Sequence, residues 1–283
     1  MNVCFVILHY LTDKDTVECV ESIEKLDGAD KAKIVIVDNF SNNGSIERVK
    51  TAIGKFSNCK ILYNDKNLGF AKGNNIGYSY VKKTCGNSFI VVLNNDTVIK
   101  QQDFITRIAD TYNKNSYAVL GPDIISLIDG GHQNPLGKIP SKKDIKKSIK
   151  KYRFLLILSK LGLYNLLQKH FGENRSGKKN TLEKPPSTEI INRALHGSCI
   201  IFSPDFVSVM DEAFCPDTFL YKEEYILARR CAKKHLKMFF DSGIEIFHKE
   251  DSSTNQVVST SKKKREFIFK NLINSNKAFL NNY

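Results

Sequence analysis

The sequence predicts an α/β fold in which a largely parallel sheet is covered by helices on both faces and is interrupted by a basic helical insertion. Three observations carry this. Short β-rich runs alternate with helical stretches through the first hundred residues, the rhythm of a parallel sheet with crossover helices. The β-rich runs are apolar at consecutive positions, as strands buried on both faces require. Polar residues collect where those runs end, at Asp38-Asn39 and at Asn94-Asn95-Asp96, and ligands of such sheets bind beyond the carboxyl ends of the strands.

In chain order, Val3 to His9 reads as a buried strand and Asp15 to Leu26 as an amphipathic helix with Val17, Val20, Ile23 and Leu26 apolar. Lys33 to Val37 is the next strand, Ser45 to Ile53 a short helix after a turn, Cys59 to Tyr63 a strand and Gly73 to Lys82 a helix. Phe89 to Leu93 is a fourth strand, Phe104 to Tyr112 a helix, and Ala118 to Leu120 a strand closed by Gly121-Pro122. From Gly130 to Asn192 the pattern changes to a polar turn, a lysine-rich segment and a Gly/Lys/Pro linker at Gly177 to Pro186. The α/β rhythm resumes with Cys199 to Phe202, a helix over Tyr221 to Lys234 and a strand over Lys237 to Phe240. The middle segment therefore reads as an insertion within one fold.

Composition sets the outer bounds. With 283 residues, 41% hydrophobic and 10% aromatic, the chain can bury a core, which excludes a collagen-like, mucin-like or wholly disordered protein. Met1 to Tyr10 lacks a basic leader and a small-residue cleavage site, so it is expected to be a strand and not a signal peptide. The longest later apolar run, Phe154 to Leu158, is far short of the roughly 18 residues of a spanning helix. Seven scattered cysteines without C-x-x-C spacing suggest neither a zinc site nor a disulfide framework and point to a reducing, cytoplasmic setting. The formal charge is +13, and Lys142 to Lys179 alone holds twelve basic residues against two acidic ones.

Three clusters carry chemistry. In Val37-Asp38-Asn39-Phe40-Ser41-Asn42-Asn43-Gly44-Ser45 a strand-end carboxylate precedes a turn whose amides could face a phosphate, although the same residues suit a plain turn and helix cap. In Asn67-Leu68-Gly69-Phe70-Ala71-Lys72-Gly73-Asn74-Asn75-Ile76-Gly77 glycines and side-chain amides stand just before a predicted helix; this is neither a Walker loop nor a dinucleotide fingerprint. In Leu93-Asn94-Asn95-Asp96 the carboxylate at a strand end could hold a divalent cation whose other ligands are phosphate and water.

Together these clusters resemble glycosyltransferase family 2, the inverting nucleotide-sugar transferases of GT-A fold, in particular its rhamnosyltransferase-like bacterial branch. The resemblance implies a GT-A fold with a mixed, mostly parallel sheet, a UDP- or dTDP-sugar donor and Mn²⁺ or Mg²⁺ as cofactor. It assigns His9, Tyr10, Asp38, Asn39, Ser41, Gly69, Phe70, Lys72, Asn74 and Asn95 to the donor site. Asn94-Asn95-Asp96 takes the place of the D-x-D-type motif, with Asn where its first carboxylate usually stands. Downstream, Phe219-Leu220-Tyr221-Lys222-Glu223-Glu224-Tyr225-Ile226-Leu227-Ala228-Arg229-Arg230 is similar to the F-x-Y-x-E-D-x-D-L-x-x-R helix start of the family. It implies Glu224 as the catalytic base, Glu223 beside it and Arg230 toward the donor. His248 matches a late H-x-x-G-x-S element, with Asp251 where Gly is usual, and joins Asp96 and Asn94 as a metal candidate. Gly197 and Ser198 match a stretch near the acceptor. The implied organisation is a GT-A domain over 1–253, made of a nucleotide-sugar part (1–128), the basic insertion (129–194) and an acceptor and catalytic part (195–253), followed by a C-terminal basic helical extension (254–283).

Within the insertion, Ile149, Tyr152, Leu155, Leu156, Leu163, Leu166 and Leu167 fall near helical spacing among lysines. Such a helix can lie on an anionic membrane, at about 1 kcal/mol per lysine, or pack on the protein with a solvated basic face. A membrane surface suits a lipid-linked saccharide acceptor and a peripheral enzyme at the inner face of the plasma membrane, in synthesis of capsule or cell-wall polysaccharide. A basic nucleic-acid-binding protein is the competing class, but Trp is absent and Asp and Asn occupy the strand ends, so no nucleic-acid partner is expected. A nucleotidyltransferase and a non-catalytic relative remain as alternatives. The C-terminal Phe267, Phe269, Leu272 and Ile273 could pack on the core, form a homodimer or touch a membrane.

Overall fold

A computed structural model describes residues 2–164, 182–250 and 261–282. The strands are β1 (Val3–His9), β2 (Lys33–Asp38), β3 (Cys59–Tyr63), β4 (Phe89–Asn94), β5 (Thr97–Val98), β6 (Val119–Ser126), β7 (Thr188–Glu189), β8 (Cys199–Phe202) and β9 (Met238–His248). Among the described residues they form one sheet in the order β3-β2-β1-β4-β8-β6-β9-β5, with β7 on β9. The pairs β1/β2, β1/β4, β2/β3 and β6/β9 are parallel, while β8 runs against β4 and β6. The mixed, mostly parallel sheet is thus as expected.

The helices are α1 (Asp13–Ile23), α2 (Ser45–Ile53), α3 (Gly69–Cys85), α4 (Phe104–Asn115), α5 (Lys142–Lys160), α6 (Pro204–Val209), α7 (Glu223–Lys233) and α8 (Ser261–Asn281). Alternate residues of β1 feed the two faces of the sheet. Val3, Phe5 and Ile7 join Val20 and Ile23 of α1, Val49 of α2 and Phe104 of α4. Cys4 and Val6 join Tyr78 and Val81 of α3, Phe206 of α6 and Leu227 of α7. This two-sided demand for apolar side chains is why β1, β2 and β4 are apolar throughout.

Helix α1 runs Asp13–Ile23 where the sequence predicts Asp15 to Leu26, and three further boundaries differ in ways that bear on the site. Helix α3 starts at Gly69, so the glycine-rich stretch lies inside its first turns and not in a loop before it. A Cβ on Gly73 would stand 2.6 Å from Leu8, and one on Gly77 2.4 Å from Val6; these glycines let the helix lie directly on the sheet. Strand β6 continues through Gly121-Pro122, because its pairing with β8 covers only Val119 and Leu120 and Pro122 leaves no partner there without a donor. Strand β9 runs on past Phe240 to His248, accommodating Ser242-Gly243-Ile244 as a bulge opposite the Pro122/Asp123 step.

The inserted helix α5 is capped by Ser141, whose Oγ accepts from the Asp144 N–H. Its Ile145 and Ile149 are buried in a cluster with Ile226 of α7 and Ile273 and Phe279 of α8, and Tyr152 and Leu156 pack on that cluster. The face expected to be free for a membrane is therefore largely used on α8. Leu166 and Leu167 lie outside the described residues. The C-terminal extension is accounted for in the same way, as α8 packed on α5. All seven cysteines are free thiols, and no described helix is long and apolar enough to cross a membrane.

Candidate functional site

The carboxyl ends of β1, β2 and β4 open into a cleft of about 190 Å³. Leu8 and Tyr10 come from the end of β1, Asn39 from the end of β2, and Asn94, Asn95 and Asp96 from the end of β4. Gly69 and Phe70, at the start of α3, form a further side. Seven residues singled out from the sequence as site candidates (Tyr10, Asn39, Gly69, Phe70, Asn94, Asn95 and Asp96) thus meet in one place.

Asn39 organises that place. Its Oδ1 accepts from Leu68 N–H at 2.9 Å and from the Asn64 amide at 3.2 Å, while its Nδ2 donates to Asn67 Oδ1 at 3.0 Å and to Gly69 C=O at 3.2 Å. Gly69 has φ +79°, and a Cβ there would lie 2.4 Å from the Phe219 carbonyl oxygen, which itself accepts from the Phe70 N–H at 2.7 Å. Glycine is required at this position both for its backbone conformation and for that approach. Asp38 is buried beside the cleft and accepts from the Ser41 N–H at 3.1 Å; burial raises its carboxyl pKa, with Ser41 acting in the opposite direction. The Ser41 hydroxyl accepts from the Leu11 N–H.

Several expected donor residues sit elsewhere. His9 is fully buried, with Nδ1 2.7 Å from Thr16 Oγ1 and Nε2 2.9 Å from Ser45 Oγ. Both ring nitrogens are therefore engaged within the protein, and burial pulls the imidazole pKa down to about 4. Asn95 borders the cleft, but its amide nitrogen donates to Thr12 and Thr16 hydroxyls at 2.7 and 2.9 Å. Arg230 is turned to the Glu212 and Ala213 carbonyls; its family-like spacing leads to a loop-holding role. Lys72 is exposed on α3. Asn74 is buried, with Nδ2 on the Phe70 carbonyl and Oδ1 unbonded.

The metal candidates converge through strand pairing. Thr97 of β5 is opposite His248 of β9, which brings His248 Nε2 to 3.3 Å from Asp96 Oδ1. His248 Nδ1 is 2.9 Å from Gln133 Oε1; an amide oxygen can only accept, so Nδ1 carries a proton, and in the neutral ring Nε2 presents a lone pair. Asp96 is 5% exposed and its Oδ1 makes no hydrogen bond. With the ring neutral, Nε2 and Asp96 Oδ1 are spaced so that both could ligate one divalent cation at adjacent coordination positions, with Gln133 orienting the imidazole from behind. No group of three His, Cys, Asp or Glu side chains among the described residues is arranged to hold a metal, so diphosphate oxygens and water would complete such a shell. The Asn94 amide lacks the charge of a carboxylate.

Beside this lies the acidic pair. Tyr221 and Lys222 both have positive φ, 76° and 73°, a sharp and strained entry into α7 that places Glu223 and Glu224 in its first turn. Glu223 is only 2% exposed with an unbonded Oε1, whereas Glu224 is half-buried. A Cβ on Gly197 would stand 2.9 Å from Glu224 Oε1, so the carboxylate lies against bare backbone. Next to it, Ser198 C=O accepts from Asn94 N–H at 2.9 Å, which joins the Glu224 side of the site to the β4 edge. Burial pushes both carboxyls above their ordinary range; the charge of Glu224 adds to the effect on Glu223, and Lys222 works against it.

Several residues given no site role in the sequence reading also contribute. Gln133 follows β6, held by its own N–H on Ile124 C=O and by His132 against the buried Asp123 at 2.8 Å. His196 has its ring centroid 5.7 Å from that of His248. Phe219 and Leu220 line the cleft, within a matched stretch in which the resemblance gives roles only to Glu223, Glu224 and Arg230. The last wall comes from α8, through Lys264, Phe267 and Ile268.

The sequence matches Glycosyl transferase family 2 over residues 4–200. No curated protein sequence is a significant match. Among solved structures, S. aureus TarS 1-349 aligns with a TM-score of 0.57 at 14% identity, over 99% of this chain and 72% of that one. Its complex with UDP-GlcNAc aligns at 0.59 and 14%, over 92% and 62%. The mannosyltransferase PcManGT from Pyrobaculum calidifontis, in complex with GDP-Man and Mn2+, aligns at 0.55 and 12%, over 99% and 74%. At such identities the likeness is one of fold, and that fold is GT-A. The matched span runs from β1 into β8 and so takes in the cleft ends of β1, β2 and β4 together with Gly197 and Ser198; on that basis the chain belongs to glycosyltransferase family 2, enzymes that transfer sugar from a nucleotide-sugar.

Proposed function

We propose that the protein is an inverting, metal-dependent transferase that moves a sugar from a UDP- or dTDP-sugar to a hydroxyl of a lipid-linked saccharide, at the cytoplasmic face of a bacterial membrane during cell-surface polysaccharide synthesis. The observation that carries this reading is Glu224, a half-buried carboxylate of raised pKa held against Gly197 at the edge shared with Asn94 and Asp96. Glu224 takes the proton of the acceptor hydroxyl as the new C–O bond forms at the anomeric carbon and the bond to the diphosphate oxygen breaks, in one displacement with inversion. Glu223, sealed from solvent, stays protonated beside it and keeps a second negative charge out of the base's surroundings. Tyr10, Asn39 and Gly69, which the resemblance gives to the donor, bound the cleft. Asp96 and His248 would hold Mn²⁺ or Mg²⁺, which supplies charge neutralisation at the leaving diphosphate. The UDP-GlcNAc and the GDP-Man and Mn2+ complexes of the two structural relatives support a donor and a metal of this kind.

The test is nucleoside diphosphate release from a panel of UDP- and dTDP-sugars with Mn²⁺ or Mg²⁺, by wild type and by Glu224→Gln. Release from one donor, lost in the variant, is the expected result; release of pyrophosphate would replace the reading with nucleotidyl transfer. Because the base acts ionised and burial raises its pKa, the rate should rise with pH through a limb lying above the ordinary carboxylate range. A limb at or below that range would remove Glu224 from the role.

A further inference from the structure

The solvent side of α5 carries a stripe that its packing on α8 does not use. Lys143, Lys147, Lys150, Phe154, Ile157 and Leu161 follow one another at steps of four, three, four, three and four residues, so they form a single line along the helix and its C-cap. All six are exposed, and Phe154, Ile157 and Leu161 stand at 58%, 56% and 65% exposure. The opposite face holds Ile145 and Ile149, buried against α8. The line divides by chemistry, cationic in its first half and apolar in its second. Exposed Lys146, Lys151 and Arg153 flank it, and Asp144 is the one acidic residue of the helix.

We infer that this line docks the protein on an anionic lipid bilayer, with Phe154, Ile157 and Leu161 entering the interface and the lysines lying against headgroup phosphates. Charge selects this occupant. A row of cations ending in large apolar side chains matches a surface that is anionic at its outer layer and hydrocarbon beneath. A second copy of the same face would oppose lysine to lysine if parallel and lysine to apolar side chain if antiparallel, and neither arrangement neutralises the charge. The docking also has a consequence for the site: α8 packs on α5 and at the same time lines the cleft through Lys264, Phe267 and Ile268. The bilayer would then lie about one helix diameter, roughly 10 Å, from the cleft wall, where the saccharide of a lipid-linked acceptor emerges. This deepens the reading of the acceptor as lipid-linked, yet docking is measured without donor or acceptor, so either can fail alone.

The chain contains no tryptophan, so Phe154→Trp in this chain is its sole indole reporter. Vesicles of phosphatidylcholine with and without phosphatidylglycerol are the probe. Expected are a blue-shifted emission and quenching by brominated acyl chains with the anionic vesicles only, and co-sedimentation reduced about tenfold or more by Ile157→Glu with Leu161→Ser. Those positions are exposed, and an unchanged thermal melt would confirm that the variant is folded. Co-sedimentation without any emission change would mean charge attraction alone and would overturn apolar insertion. No association with anionic vesicles would overturn docking. A blue shift that follows protein concentration without lipid would make a second copy the occupant and equally overturn the proposal.

Discussion

The tie between β1, α1 and α2 beneath the cleft makes folding stability sensitive to mild acid through one residue, His9. Its two ring nitrogens meet Thr16 and Ser45 hydroxyls, Thr16 in turn receives the Asn95 amide, and burial lowers its pKa from 6.5 to about 4. Between those two values the unfolded chain takes up a proton that the folded protein refuses, so stability is fully present above pH 6.5 and drains away as pH falls toward 4. At pH 5 the difference amounts to about 2 kcal/mol, against almost nothing at pH 7. The assay is urea unfolding of wild type and His9→Gln at pH 7 and pH 5, read as the difference between the two proteins. That subtraction removes His196, which burial also lowers to about 4, and the raised carboxyls Asp38, Asp123, Glu223 and Glu224, which act in the opposite direction. Wild type should lose about 2 kcal/mol more than the variant over this interval. Parallel losses would refute the reasoning, since His9 would then titrate normally in the folded protein and the hydroxyl pair would not be what holds the cleft floor together.

Three further outcomes follow from the site geometry. Gly197→Ala pushes a methyl toward the flexible end of Glu224, 2.9 Å from its Oε1; the melt should be nearly unchanged while kcat falls about 10- to 100-fold and KM for the donor holds, in steady-state kinetics. Gly69→Ala combines a φ of +79° with a backbone oxygen 2.4 Å away, so unfolding measurements should show about 2–4 kcal/mol of lost stability, with nucleotide binding weakened in calorimetry. Gln133→Leu removes the acceptor that orients His248 and should weaken Mn²⁺ binding about 10- to 100-fold by electron paramagnetic resonance, while the melt of the metal-free protein moves little.

The central strands were legible because both of their faces are buried: β1, β2 and β4 admit no polar interruption, and their ends announce themselves as Asp38 and Asn94. Elsewhere the local signal pointed away from the tertiary outcome. Gly69 reads as a loop residue before a helix expected from Gly73, yet the helix begins at Gly69, and Gly73 and Gly77 are glycine because Leu8 and Val6 leave no room for a Cβ. Asp241-Ser242-Gly243 has the composition of a turn, yet Asp241 stays paired and Ser242-Gly243-Ile244 form a bulge that carries β9 onward to His248. The polar ends of the strands located the cleft floor, but spacing could not say which way a side chain turns. Asn39 and Asn95 both follow strands with similar motifs; one organises the loop over the cleft, while the amide nitrogen of the other donates to Thr12 and Thr16. The α8 wall was out of reach, since nothing local in Lys264, Phe267 and Ile268 marks them as facing residues more than half the chain away.

That wall has a meaning for the order in which the protein is made. The floor of the cleft needs only β4 joined to β1, but Lys264, Phe267 and Ile268 follow every strand of the sheet in chain order and so leave the ribosome after all of them. A nascent chain can therefore complete most of its sheet while the cleft still lacks one side. The closing of α8 over α5 and the cleft is the step that turns a folded scaffold into a finished site, so translation itself delays the appearance of that site until α8 has been made.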